Sequence, residues 1–112
     1  MLTKESYPES TVTVEDLIEA QQSGDKKKIA YAVCTYIAEN TAAVIMKERQ
    51  NGTDEAVALA AAQQIEGQEA LAAVLVKRAY AIPKATTYKG KKQALDDFIF
   101  SVNYDCYMAA AK

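Results

Sequence analysis

Cys34 and Cys106 are the only thiols in this chain of 112 residues, and the sequence contains no histidine to activate either of them. Without histidine there is no Ser–His or Cys–His nucleophile pair, no imidazole general base and no imidazole metal ligand. Two thiols alone also fall short of a four-ligand zinc site. Among the carboxylates, Glu66 and Glu69 stand three apart and Asp96 and Asp97 are adjacent. On helices such spacings read as solvated faces rather than acid–base pairs. The glycines follow neither the Gly-x-x-x-x-Gly-Lys nor the Gly-x-Gly-x-x-Gly pattern that cradles phosphate. The expectation is a non-enzyme with no cofactor and no metal.

Both cysteines fall in apolar helical stretches. The first residues, MLTKESYPES, lack the apolar core of an export signal. The pair therefore reads as buried free thiols in a reducing, cytoplasmic setting, with a Cys34–Cys106 disulfide as the weaker alternative.

Charge is uneven although the net is only −2. Residues 1–25 hold Lys4 against Glu5, Glu9, Glu15, Asp16, Glu19 and Asp25. Residues 77–92 hold Lys77, Arg78, Lys84, Lys89, Lys91 and Lys92 with no acid, interleaved with Tyr80 and Tyr88. Cations that contact phosphates and aromatics that stack on bases make this the one segment suited to nucleic acid.

Half of the residues are hydrophobic and a quarter are charged, which is globular composition. Residues 1–12 read as an irregular N-terminal segment and 13–112 as a single helical-bundle domain. Thr13, followed by Glu15 and Asp16, opens a helix over 14–23 that Gly24 stops. Asp25 caps a second helix that runs to residue 50, about 37 Å at 1.5 Å per residue. It is apolar on both sides. Ile29, Val33, Tyr36, Ile37 and Val44 mark one face, and Tyr31, Cys34, Ala38, Ala42 and Ile45 the other. Such a helix is covered all round by protein. Glu39, Asn40, Thr35 and Thr41 in its middle argue against a membrane span.

Asn51-Gly52 is a turn. The period of Val57, Ala61, Gln64, Gln68, Leu71, Leu75, Arg78 and Ile82 predicts a third helix over 54–82, continuous through Gly67 at a cost of about 1 kcal/mol. Pro83 ends it, and a fourth helix follows over 91–110. The fold class is all-α: a small bundle built on a long antiparallel hairpin (25–50 with 54–82) plus the shorter helices at 14–23 and 91–110. Folding about Asn51-Gly52 sets residue i level with roughly residue 103 − i. Asn40, Gln64 and Gln68 then meet as an amide lock on the register, or as a polar ligand site. Lys26, Lys27 and Lys28 join Lys77, Arg78, Tyr88, Lys89, Lys91 and Lys92 at one basic end, a polyanion contact that the acidic N-terminal segment would offset.

The fourth helix carries two stripes. Leu95, Phe98, Ile99, Val102 and Cys106 suffice for an intramolecular core. Phe100, Tyr104, Tyr107 and Met108 lie nearly opposite and need another cover, and their aromatic and Met-rich composition is that of contact surfaces. The function expected is a non-catalytic interaction module (adaptor, assembly factor or inhibitor) that binds a protein partner or a second copy of itself. Nucleic-acid binding through the basic end is the second reading.

Overall fold

The structure is a computed structural model that describes residues 12–110. The segment expected to be irregular lies outside the described residues except for Val12, which is buried. Among the described residues every regular element is a helix: α1 (Val14–Ser23), α2 (Lys26–Tyr36), a π-helical turn (Ile37–Ala42), α3 (Ala43–Gln50), α4 (Glu55–Ala62), α5 (Glu69–Tyr80) and α6 (Tyr88–Ala110). The protein is a small all-α bundle.

Local sequence explains the first elements. The Thr13 hydroxyl accepts the Asp16 amide at 3.2 Å while the Asp16 carboxylate accepts the Thr13 amide at 3.0 Å, a reciprocal cap on α1. Gly24 takes the left-handed conformation (φ 71°) that closes the helix. One residue later, the Asp25 carboxylate accepts the Lys27 and Lys28 amides and starts α2.

From α2 through α3 the chain forms one helix, Lys26–Gln50, long and apolar enough by composition to cross a membrane, with half of its apolar window buried in the bundle. In the π turn, hydrogen bonds reach five residues ahead instead of four. Asn40 sits in this turn, and its Nδ2 donates to the Tyr36 carbonyl at 2.9 Å. This local bond takes up the amide expected to join the register lock.

The third helix is not continuous. It breaks over residues 63–68 into α4 and α5, and Gly67 adopts φ 83°, open to glycine at little cost. The break lets the chain reverse. α4 runs back along the long helix, its Ala58 and Ala62 close to Ile45 and Asn40. α5 then returns toward the Asn51 turn. There the Tyr80 hydroxyl donates to the Thr53 carbonyl at 2.7 Å and Arg49 Nε to the Ile82 carbonyl at 2.8 Å. The reversal brings Leu75 and Val76 into one core with Met46, Leu95, Phe98 and Val102. Burying a Leu or Val side chain is worth about 1.5–3 kcal/mol, so two of them outweigh the helical hydrogen bonds given up at the break.

The long antiparallel partner of Lys26–Gln50 is consequently α6. Asn103 Nδ2 donates to Thr35 Oγ1 at 3.2 Å, and Cys106 bonds to Cys34 with a Cα–Cα distance of 5.6 Å. These pairings set residue i of the long helix level with about residue 139 − i of α6, while the hairpin register expected from the turn is kept along α4 and lost beyond the break. The two cysteines, expected to be free, form a disulfide because the antiparallel pairing brings them face to face.

A buried glutamine secures the far end. Gln50, only 3% exposed, accepts the Ala85 amide on Oε1 at 2.8 Å and donates from Nε2 to the Pro83 carbonyl at 3.2 Å. It holds the 83–87 connection against the end of α3, so α6 starts alongside that end.

Candidate functional site

On α6 the inward stripe is as expected: Leu95, Phe98 and Val102 are buried. The outward stripe follows from helical spacing, since positions i, i+4 and i+8 share a face. Phe100, Tyr104 and Met108 are 70%, 54% and 45% exposed. Tyr107 is half-buried beside them. The rings of Phe100 and Tyr104 stack at 6.1 Å with 17° between their planes.

Tyr31, 57% exposed on α2, completes this face. Together with Phe100, Asn103, Tyr104 and Tyr107 it lines a shallow hollow of about 290 Å³. Helical periodicity alone puts Tyr31 on a covered face of the second helix and misses its place here. The signal that would find it is the pairing of α2 with α6, to which the two cysteines point once they are taken as bonded. Beneath the hollow lie that disulfide and the Asn103–Thr35 bond, so the two helices that carry the aromatics are fastened at two adjacent points.

Charged groups flank the face at both ends. At the Tyr107 end a second, more open hollow is lined by Lys27 and Lys28 of α2 and by Asp16 and Glu19 of α1. At the Phe100 end stand Asp97, whose carboxylate accepts Gln93 Nε2 at 2.8 Å, and Asp96, paired with Lys92 at 3.3 Å. No catalytic constellation accompanies the aromatics among the described residues. What the arrangement offers chemically is apolar and aromatic contact area with polar edges.

The basic end expected from the sequence does not assemble. Lys26, Lys27 and Lys28 open the long helix, whereas Tyr88, Lys91 and Lys92 gather with Lys47 in a cleft of about 290 Å³ at its other end, about 36 Å away along the helix axis. The cause is the chain reversal at Gly67, which carries residues 77–92 back to the Asn51 turn. Lys77 is engaged by Glu55 at 3.3 Å. Arg78 contacts Asp105 at 3.1 Å and Ser101 at 3.3 Å and lies over the Phe98 ring. Acids from other elements thus answer cations that have none nearby in sequence. The lysines that remain near the end of α3 suit the negative end of its dipole.

Of the three amides expected to meet, Gln64 is exposed and takes no part, whereas Asn40 and Gln68 line one groove between α4 and the π turn, Gln68 with its Oε1 buried and without a hydrogen-bond partner.

Set against models of known protein families, curated proteins and solved structures, the chain matches none of them. The functional reading therefore stands on the geometry alone.

Proposed function

We propose that this protein is a non-catalytic interaction module, an adaptor, assembly factor or inhibitor, that works by burying the aromatic face of α2 and α6 against a protein partner. The exposure of Phe100, Tyr31 and Tyr104 on one continuous face carries this reading. Large aromatics supply much contact area for little conformational entropy and are enriched at interfaces. The fastening of α2 to α6 beneath them supports it further, since a surface held rigid before binding loses less entropy on association. The separation of Lys26, Lys27 and Lys28 from the other cations takes three of the eight basic residues out of the footprint expected for a nucleic acid. The disulfide suits an oxidising compartment, so we propose an extracytoplasmic setting instead of the cytoplasmic one that free thiols implied.

The test compares wild type with Tyr104→Glu in affinity capture from the source cells, with circular dichroism confirming that both are folded. Proteins retained by wild type and lost from Tyr104→Glu are expected. Identical captured sets would refute the reading.

A further inference from the structure

We infer that the cleft at the Asn51 end of the long helix binds a phosphate group carried by a small organic molecule. The inference is independent of the aromatic face. Lys47 of α3 and Lys91 and Lys92 of α6 converge on this cleft of about 290 Å³, beside Asn51, Thr86 and Tyr88, and no carboxylate shares the lining among the described residues. All three lysines are half-buried instead of spread into solvent. Lys84 stands close by, its Nζ 3.3 Å from where a Cβ on Gly52 would lie.

The chain's own anions do not balance these cations. Asp96 answers Lys92 at 3.3 Å. The carboxyl end of α3 supplies about half a negative charge, and the amino end of α6, which starts at Tyr88, offsets it. With Lys47 left out of the count, Lys84 and Lys91 still make no ion pair among the described residues. The charge of these two lysines suits a phosphate monoester, which carries about −1.5 to −2 at neutral pH. Lysine serves phosphate as a point charge, and the Asn51 amide and the Thr86 and Tyr88 hydroxyls add donors for its oxygens. The ring of Tyr88, 64% exposed, offers a surface to the apolar part of the carrier.

The surroundings favour a small carrier over a chain of phosphates. Asp96 and Asp97 follow on the next turn of α6, and Asp54 stands just beyond the Asn51 turn. A polyanion running out of the cleft past either group meets acids. The other basic run, Lys26, Lys27 and Lys28, is about 36 Å off along the helix.

Amide NMR shifts of the full oxidised chain during titration with phenyl phosphate, up to about 10 mM probe at about 20 mM salt, test this. Residues 47–51 and 86–92 should shift and saturate together, and about 200 mM salt should weaken binding several-fold. Phenol, which has the ring without the charge, should leave those amides in place, and inorganic phosphate should displace the ester. Lys91→Gln should weaken binding about tenfold with circular dichroism unchanged; if that variant does not fold, Lys47→Gln reads the same loss. Shifts that do not saturate, or that are as large at Lys26, Lys27 and Lys28, overturn the site and leave general attraction to lysine. Tighter binding per phosphate to an oligothymidylate of about twelve nucleotides overturns the small carrier.

Discussion

Breaking the Cys34–Cys106 bond should be the most destabilising change available without touching the core. The bond closes a loop across a separation of 72 residues. In the chain-entropy description, cross-linking a loop of that length removes about 15 cal/mol/K from the unfolded chain, or about 4 kcal/mol at 25 °C. Small domains hold about 5–15 kcal/mol in total, so the loss is a large share. For a chain of 112 residues the unfolding entropy near the midpoint is about 235 cal/mol/K, and the melting temperature should fall by about 15–20 °C. The assay is a thermal melt of the oxidised protein with and without a phosphine reductant, alongside the Cys34→Ala/Cys106→Ala variant. Thiol titration under denaturing conditions should find none before reduction and two after. Reduced protein and double variant should melt together. Two titratable thiols in protein purified without reductant would refute the reasoning, as would a reduced protein that melts within about 3 °C of the oxidised one.

Two further outcomes follow from the far end of the bundle. The Tyr80 hydroxyl donates to the Thr53 carbonyl at 2.7 Å. Burial first, and then the Glu48 charge, hold its pKa above the ordinary tyrosine value, against an opposing pull from Arg49. Because the folded pKa exceeds the unfolded one, this stabilisation is complete below about pH 10 and fades as pH rises through the folded value. Tyr80→Phe should therefore cost about 1 kcal/mol at pH 7 and lose less stability than wild type between pH 9 and 11; urea midpoints that fall in parallel would contradict this. Gln50→Ala leaves the Ala85 amide and the Pro83 carbonyl without their partner and should cost about 2–4 kcal/mol in urea unfolding, whereas a change under about 0.5 kcal/mol would show that the clamp is dispensable.

The sequence is most legible where structure is decided locally. Thr13, Gly24 and Asp25 act through neighbours within three residues, and they bound α1 and α2 where their chemistry requires. The two stripes of α6 are legible for a similar reason. Leu95, Phe98 and Val102 oppose Phe100, Tyr104 and Met108 by helical geometry alone, whatever the helix packs against. The course of the chain after Asn51 is not legible. A glycine inside a helix costs only about 1 kcal/mol, too little for Gly67 to choose between a continuous helix and a broken one, and burial of Leu75 and Val76 decides in favour of the break. The misplaced basic end has the same origin, because an unbroken helix would carry residues 77–92 to the opposite end of the bundle. Gln50 offers no signal, since a glutamine at a helix end is ordinarily solvated and its partners are backbone groups more than thirty residues away.

The π turn at Ile37–Ala42 has a consequence for the long helix as a whole. A segment that closes its rings one residue later than its flanks rotates everything after it around the axis. α2 and α3 are therefore coaxial but out of phase, and a single helical wheel drawn through both smears apolar residues around the full circle. The half before the turn faces α6 with Cys34 and Thr35, and the half after it packs Ile45 and Met46 into the core shared by α4, α5 and α6. One rod thus changes face along its length while α6 follows it throughout. Deleting a single residue within Ile37–Ala42 would restore an unbroken α-helix and leave each half on its own neighbours, because the wide turn only absorbs one extra residue.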